Sequence, residues 1–307
     1  IDAPEAWTLT TGSPSVVVAV IDTGVDINHD DLRDNIWVNP GESGLDAMGR
    51  DKRTNGIDDD RNGYVDDIHG WNFGDGDNFV YDATGHGTGV AAVLGARGNN
   101  GLHLSGVAWN VRIMPIRIIT RTGIIPASTV IQALSYAARN GASICNISWL
   151  AYLDGLQRAY YEPMFKSAIG STLVICAAGN ERTNLDSLTT LFAFPPMVSH
   201  PQKITVGAIM PNGEIPDWSN VGANYVDLAA PGSQIWTVHP ASGFAALDGT
   251  SFSAPFVAGT AALIQSRFPT LDASTVKERI LNGVDVDLKY SGRFRKKGRL
   301  NAFNSVQ

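Results

Sequence analysis

The sequence predicts an α/β fold in which a mostly parallel central sheet is covered by helices on both faces. Short apolar runs alternate with stretches of helical period along the chain, and this alternation is typical of parallel sheets. The first run, Ser15–Asp22, is apolar from Val16 to Ile21 and ends in an acid, as expected for an interior strand. The chain has 307 residues, of which 44% are hydrophobic and 17% charged, so it is long enough for a large core. Because no internal repeat or linker interrupts it, we expect a single domain spanning residues 1–307.

Each predicted strand is a short apolar run bounded by turn-forming residues, as is typical of buried strands. In chain order the strands cover residues 15–22, 111–119, 143–147, 172–176 and 203–208, followed by short extended pieces at 225–228 and 235–238. A turn is expected at Ala230–Gly232, between the last two pieces. Residues 39–82 are rich in Gly, Asn and Asp and carry no sustained period, which predicts a long surface insertion. Its acidic residues are concentrated in 51–67 and 75–82, which suggests a local cation site, and the calcium-binding part is expected around 51–67.

The predicted helices lie between these strands. A helix of small residues begins at His86, and an amphipathic helix over 128–140 is expected to end before Gly141. Asp272 is expected to cap a helix over 274–281. The remaining helices are expected at 158–169 and at 253–267, where small apolar residues on every side predict a buried helix.

Charge and cysteine content narrow the class of protein. The net charge of −7 argues against nucleic acid as a partner, although a short basic run at 293–299 is expected to form a solvated turn. No apolar stretch is long enough to span a bilayer, and no signal peptide is visible at Ile1. Cys145 and Cys176 lie inside apolar runs, which predicts buried free thiols rather than a disulfide.

Three polar residues occupy equivalent places in the predicted fold. Asp22 ends a strand, His86 begins a helix, and Ser251 begins another helix after Gly249. Sites in open α/β sheets collect at the carboxyl ends of the strands, so we expect the three side chains to meet there. Serine needs a base to act as a nucleophile, imidazole suits that role, and a carboxylate fixes the imidazole tautomer. Backbone N–H groups at the start of the serine helix are placed to face a developing oxyanion.

Four motifs in this order resemble those of the subtilisin-like serine proteases, the subtilases. They are Val20–Asp26, Gly85–Thr88, Ala177–Glu181 and Gly249–Pro255, and together they span nearly the whole chain. The resemblance implies the three-layer subtilisin-like fold. It also implies that Ser251 attacks the scissile carbonyl, that His86 is the base oriented by Asp22, and that Asn180 stabilises the oxyanion. The order Asp, His, Ser along the chain is that of subtilisin.

The resemblance also implies which segments contact a polypeptide substrate, since the family pairs two extended segments with the substrate backbone. The implied substrate-binding residues are Arg121, Gly123, Ser148, Trp149, Leu150, Ala178 and Gly179. The chain departs from the family after Ser148. The family usually has glycine one or two residues past this serine, whereas here Leu150 and Ala151 carry side chains where the backbone usually comes close. This departure either narrows the first pocket or alters how the substrate strand pairs; alternatively, it reflects a local backbone shift of little effect.

The acidic insertion contains a candidate calcium site. Residues 58–63 fit the pattern D-x-D-x-N-G that begins an EF-hand-type loop, in which glycine permits a sharp turn. Position twelve is His69 rather than glutamate, so Asp66 or Asp67 would have to complete the site. The expected ligands are Asp58, Asp60, Asn62, the Tyr64 carbonyl, and Asp66 or Asp67. The alternative is a solvated loop without a cation. Similar loops occur in a calcium-dependent branch of the subtilases.

A second calcium site is implied by the family resemblance alone. The family's strong site uses an aspartate of a His-x-Asp-Leu motif and an asparagine after the histidine helix, and these resemble Asp31 and Asn100. The family's third ligand comes from an N-terminal segment that precedes the first residue of this sequence. Whether this chain has the second calcium site is therefore undecided from the sequence.

We therefore expect a secreted, calcium-stabilised serine endopeptidase that is made with an inhibitory prodomain absent from this chain. Two other hypotheses stay open. A subtilisin-like transpeptidase or macrocyclase would use the same triad to pass the acyl group to an amine, and the mass of the product distinguishes it from a hydrolase. A non-catalytic binding domain would not be labelled on Ser251 by a fluorophosphonate.

Overall fold

A computed structural model describes residues 1–102, 104–239 and 243–307. For His239 it describes the backbone only. The strands are β1 Gly12–Asp22, β2 Trp71–Asn72, β3 Asn110–Arg117, β4 Ile144–Ile147, β5 Ala151–Leu153, β6 Leu173–Ala177, β7 Phe192–Phe194, β8 Lys203–Ile209, β9 Leu228–Pro231, β10 Ile235–His239, β11 Gly243–Leu247, β12 Asp285–Val286 and β13 Gly298–Arg299. The helices are α1 Ala3–Trp7, α2 His86–Gly95, α3 Ala127–Arg139, α4 Gly155–Ile169, α5 Thr250–Arg267, α6 Ala273–Asn282 and α7 Ala302–Val306.

Nine strands form the central sheet in the order β12-β13-β9-β8-β6-β4-β1-β3-β2. All neighbours pair in parallel except β12 and β13, which form an antiparallel edge. Strand β1 lies between β4 and β3, so its apolar run is covered on both faces. The carboxyl ends of β6, β4 and β1 are therefore neighbours at one edge of the sheet. This arrangement confirms the predicted fold class.

The sheet separates two hydrophobic cores. Alternate residues of β1 point to opposite sides: Val18 and Val20 pack with α2, α5, α6 and α7, whereas Ala19 and Ile21 pack with α3 and α4. Cys145 and Cys176 are free thiols in the second core, as predicted.

Helices α2 and α5 pack closely because small residues line their contact. A β-carbon added to Gly259 of α5 would lie 2.9 Å from the carbonyl oxygen of Leu94 in α2 and 2.6 Å from Val107 Cβ. Real β-carbons do not approach other atoms so closely, so glycine is required at this crossing. The contact fixes the N-terminus of α5 beside that of α2.

The structure corrects several predicted boundaries. Helix α4 begins at Gly155 rather than 158, because Asp154 forms a capping box with Gln157. The strand expected at 225–228 lies instead at β9, and Pro231 is its last residue rather than part of a turn. Proline is tolerated there because a strand end need not donate a further ladder hydrogen bond. The piece expected at 235–238 is β10, which pairs antiparallel with β11 in a hairpin that the sequence analysis did not predict.

The insertion at 39–82 is irregular apart from β2, as expected. The side chain of Tyr136 in α3 donates a 2.5 Å hydrogen bond to Asp67 Oδ2, which ties this insertion to the body of the protein. Within the described ranges, no helix combines the length and the apolar character that a bilayer crossing requires.

Candidate active site

A buried carboxylate and a partly exposed imidazole form the centre of the site. His86 Nδ1 lies 2.7 Å from Asp22 Oδ1, and Asp22 is only 3% exposed at the end of β1. The Asp22 carboxylate raises the pKa of His86 above its ordinary 6.5, against the opposing effect of burial, and Asp82 adds a smaller rise. The pairing leaves Nε2 of the imidazole available to accept a proton.

Glycine at position 87 allows this close approach of strand and helix. A β-carbon on Gly87 would lie 2.1 Å from the carbonyl oxygen of Gly24 and 3.1 Å from Asp22 Oδ1. Any larger residue would therefore push α2, and His86 with it, away from the carboxylate.

A second buried carboxylate, Asp82, fixes the start of α2. It accepts hydrogen bonds of 2.8–3.0 Å from Thr23 Oγ1, from the N–H groups of Thr84, Gly85 and Thr88, and from the hydroxyls of Thr84 and Thr88. Burial acts to raise the pKa of Asp82, but the hydrogen bonds from Thr88 and Thr84 outweigh it and lower the pKa below 3.8. Asp82 thus links the residue after Asp22 to the first turn that carries His86.

Ser251 lies in the first turn of α5. The ring of the next residue, Phe252, lies 5.5 Å from the His86 ring, centroid to centroid, with the two planes tilted by 56°. The first turn of α5 is therefore beside the imidazole. The Ser251 hydroxyl donates to the carbonyl oxygen of Ser148 at 3.4 Å, and His86 Nε2 has no hydrogen-bond partner among the described residues. In ligand-free enzymes the bond between nucleophile and base is often long and tightens only when substrate binds.

Asn180 is exposed beside Ser251 with its amide orientation fixed. Its Oδ1 accepts from both the N–H and the hydroxyl of Thr250 at 2.9 Å, and the Thr250 hydroxyl in turn accepts from the N–H of Gly179 at 3.0 Å. A backbone N–H can only donate, so the atom facing it is the oxygen and Nδ2 is directed elsewhere. Nδ2 and the N-terminus of α5 therefore form a place for a negatively charged oxygen.

Two segments flank Ser251 at the carboxyl ends of β4 and β6. Ser148 Oγ donates 2.8 Å to the carbonyl oxygen of Ser251, while Leu150 reaches across to Gly179. Trp149 packs edge-on against Phe194 at 6.5 Å. Ala178 is buried and hydrogen-bonds to β8 through the carbonyl of Val206. The structure thus brings the predicted residues of these two segments together.

The other predicted substrate segment lies beyond β3 on the same edge of the sheet. Gly123 adopts a φ of +81° in a turn closed by hydrogen bonds to Thr120. The exposed Arg121 pairs with Asp75 and Asp77 of the insertion at 3.6 and 3.2 Å. The guanidinium group is therefore held by these acids.

Part of the predicted calcium ligand set converges in the insertion, with one addition. Glu42, Asp58 and Asp60 each offer a carboxylate oxygen within 4.8 Å of the others. Glu42 is wholly buried, and its Oε2 has no hydrogen-bond partner among the described residues. Asn62 donates to Asp60 Oδ2 at 3.2 Å.

The remaining residues predicted for this loop make other contacts. Asp67 accepts from Asn62 Nδ2, Asn39 Nδ2 and Tyr136, and Asp66 accepts from the N–H of Gly56. Tyr64 packs its ring against Tyr136 at 4.9 Å.

The residues predicted for the second calcium site also lie together. Asn100 Nδ2 is 3.0 Å from Asp31 Oδ1, and Asp31 is completely buried. The N–H of Leu104 approaches the other oxygen of Asp31 at 3.4 Å. The buried aspartate is thus hydrogen-bonded on both oxygens.

A carboxylate–imidazole pair beside a serine at a helix N-terminus, all at the carboxyl edge of one parallel sheet, defines the class of serine hydrolases. The model of the subtilase family (peptidase S8) matches residues 13–302. Thermitase of Thermoactinomyces vulgaris is 30% identical over 309 residues, which cover 100% of this chain and 94% of thermitase. The chain belongs to the subtilase family and is a subtilisin-like serine endopeptidase.

Two further comparisons agree with this assignment. A thermophilic serine proteinase of Bacillus sp. (strain AK1) is 31% identical over 303 residues, which cover 98% of this chain and 64% of the proteinase. The crystal structure of a lanthipeptide protease superposes with a TM-score of 0.77 at 24% identity, covering 99% of this chain and 92% of that one. The structural likeness confirms the subtilisin-like fold predicted from the motifs.

Three residues of the site were not found by sequence reasoning. Asp82 lies in an acid-rich stretch that was assigned to a cation site, although its position four residues before His86 was a usable signal. Asn220 hydrogen-bonds to Glu181, Thr183 and the carbonyl of Ala178, and Glu42 joins the acidic cluster from outside the recognised pattern. Neither of these two residues carries a local signal in the sequence.

Proposed function

We propose that the chain hydrolyses peptide bonds through an acyl-enzyme formed on Ser251. His86 takes the hydroxyl proton of Ser251 as the oxygen attacks the carbonyl carbon, and later gives that proton to the leaving amine. Asp22 orients the imidazole and stabilises its charged form. Asn180 Nδ2 and the N–H of Ser251 hold the oxyanion. Loss of one side-chain donor from such a site raises the activation barrier by about 3–4 kcal/mol in subtilisin.

The observation that carries this proposal is the 2.7 Å contact between His86 and Asp22 beside the first turn of α5. Substitution Ser251→Ala is expected to keep the fold and melting temperature but to abolish both cleavage of a casein substrate and labelling by a fluorophosphonate. Full residual activity in that variant would refute the assignment. Mass spectrometry of the products separates hydrolysis from transpeptidation, because only transpeptidation joins the acyl fragment to a new amine.

We also propose that a calcium ion stabilises the insertion, held by Glu42, Asp58 and Asp60 with oxygens of the neighbouring loop. The residues fit a hard cation, since three carboxylates converge and the buried Glu42 Oε2 lacks a partner among the described residues. Calcium would neutralise these charges and takes no part in the chemical step. Asp66 and Asp67 accept hydrogen bonds within the protein, as Asp58 and Asp60 also do, so Asp66 or Asp67 stays the carboxylate expected to complete the site.

Calcium bound only to the folded state raises the melting temperature by mass action. We expect removal of calcium with EGTA to lower the melting temperature of the Ser251→Ala protein, where self-digestion is absent. Glu42→Gln, which keeps the shape of the side chain, should abolish most of that difference, whereas Glu5→Gln on the exposed surface of α1 should preserve it. An equal response to EGTA in wild-type and Glu42→Gln proteins would contradict this site.

We further propose, on the family resemblance, that the enzyme acts outside the cytoplasm and is made with an inhibitory prodomain that assists folding. Expression of the natural precursor with and without its leading segment, followed by assay of secreted activity, tests this. Active enzyme of normal yield from a precursor that lacks the segment would count against the prodomain. The Asp31–Asn100 pair remains a second candidate calcium position on the same basis.

A further inference from the structure

The segments after β4 and β6 determine where the side chain of the cleaved residue must go. On one side, the carbonyl oxygen of Ser148 lies 3.4 Å from Ser251 Oγ. On the other, Asn180 Oδ1 accepts a hydrogen bond from the N–H of Thr250. An attacked carbonyl carbon must stand about 3 Å from Ser251 Oγ with its oxygen toward Asn180 Nδ2. The α-carbon of the same substrate residue is one bond away. Its side chain is therefore directed into the gap between segments 148–150 and 178–180.

Leu150 already fills this gap. It starts on one segment, and its Cδ2 lies only 2.1 Å from the position that a β-carbon on Gly179 would take. The methyl group thus occupies the space directly above the α-carbon of Gly179, on the opposite segment. The leucine bridges the two walls between which a substrate side chain would have to insert.

Polar side chains also crowd Gly179, because Asn220 Nδ2 and Glu181 Oε2 lie 2.4 and 2.6 Å from the same β-carbon position. Asn220 Nδ2 donates to Glu181 Oε2 at 2.7 Å and to the carbonyl oxygen of Ala178 at 3.0 Å. The Tyr152 hydroxyl also approaches Glu181 Oε2 at 3.2 Å. Because β5 continues from residue 151 and pairs with β7, the wall that carries Leu150 is itself anchored. Leu150 therefore packs against segment 178–181, which these hydrogen bonds hold, and lies directly before the paired strand β5.

We propose that Leu150 restricts cleavage to bonds that follow a small residue: glycine, alanine or serine. This specificity rests on the proposed acyl-enzyme mechanism and names the substrate class of that site. A glycine, alanine or serine residue is too short to need the space above Gly179, whereas a phenylalanine or leucine side chain would have to enter the space that Leu150 Cδ2 already occupies. The departure from glycine at position 150 thus acts as a steric filter on the acyl side of the cleaved bond.

The test compares matched quenched-fluorescent peptides that differ only in the residue whose carbonyl is attacked, alanine or phenylalanine. Wild-type enzyme should give a kcat/KM at least about 100-fold higher for alanine, given the cost of excess methylenes in a filled pocket. Leu150→Gly should raise the ratio of kcat/KM for phenylalanine to kcat/KM for alanine at least about tenfold, and Leu150→Ala should lie between. Leu156→Ala, a truncation of a leucine that is 85% exposed on α4, should keep the wild-type ratio.

Each outcome decides the question. A wild-type enzyme that cleaves both peptides equally, or a Leu150→Gly enzyme with an unchanged ratio, overturns the proposal. If Leu150→Gly does not fold, the wild-type ratio and Leu150→Ala decide instead. Labelling of Ser251 by a fluorophosphonate separates the two levels. A labelled enzyme that prefers phenylalanine refutes only the filter, whereas a folded protein that is neither labelled nor active refutes the proposed mechanism and the filter with it.

Discussion

The substitution Asp82→Asn removes a charge that holds the base in place without touching any reacting group. Asp82 is completely buried and accepts six hydrogen bonds, from Thr23, Thr84, Gly85 and Thr88. Asparagine has one acceptor oxygen instead of two, so an –NH₂ group must face either the Thr88 pair or the other four donors. At least one buried backbone N–H then loses its acceptor, which costs about 1–3 kcal/mol, and the remaining bonds lose their charge assistance. We expect the free energy of unfolding to fall by about 2–4 kcal/mol.

The same substitution should change the pH dependence of catalysis. The lowered pKa of Asp82 means that its contribution to stability is present above pH 3.8 and is lost as the pH falls through the folded pKa. The charge of Asp82 also raises the pKa of His86, so its removal should move the acid limb of kcat/KM to lower pH.

Stability is best measured by urea unfolding in a Ser251→Ala background, where self-digestion does not interfere, and the pH profile in the active enzyme. Asp217→Asn, at an exposed position, is the matched control and should change neither quantity. A folded Asp82→Asn enzyme with wild-type stability and an unmoved acid limb would refute the positioning role.

Three other substitutions or treatments test separate parts of the structure. Gly179→Ala should lower kcat/KM by at least about tenfold. The new β-carbon would collide with Leu150, and the φ of +105° at this position disfavours any side chain. An unaffected variant would show that the loop adapts freely. Asp22→Asn should reduce kcat by about 10⁴-fold, by analogy with the chymotrypsin case, and lower the pKa of His86; a small effect with an unmoved acid limb would contradict the pairing. Burial raises the pKa of Cys176 to about 11, so neither Cys176 nor Cys145 should react with Ellman's reagent until the protein unfolds, as a thiol assay in guanidinium can establish.

Much of the fold could be predicted because local sequence patterns indicate most of its central strands. Strands β1, β4, β6 and β8 contain mostly apolar runs, and their predicted bounds agree with the structure to within a few residues. Strand β11 was not predicted because its run is rich in glycine and alanine, which have low strand propensity, and its pairing with β10 makes it a strand. The early start of α4 depends on a capping box at Asp154 that was readable from the sequence but not used.

The candidate site could be predicted where function imposes a motif and not where distant segments cooperate. The motifs around Asp22, His86 and Ser251 predicted that these residues would meet at one edge of the sheet. The role of Asp82 could not be predicted in this way. Asp82 contacts Thr23, which is 59 residues away in the sequence, so its role depends on the tertiary structure. The position of the Leu150 side chain against Gly179 likewise depends on tertiary packing that no local pattern encodes.

The glycine-lined crossing of α2 and α5 has a consequence for how this enzyme can change. His86 and Ser251 lie at the N-termini of α2 and α5, which pack closely against each other, so the two helices move together and the spacing of the two residues is preserved. Segment 148–151 belongs to neither helix. Substrate preference can therefore drift, or be engineered, by exchanging side chains on that outer rim while the reacting pair keeps its alignment.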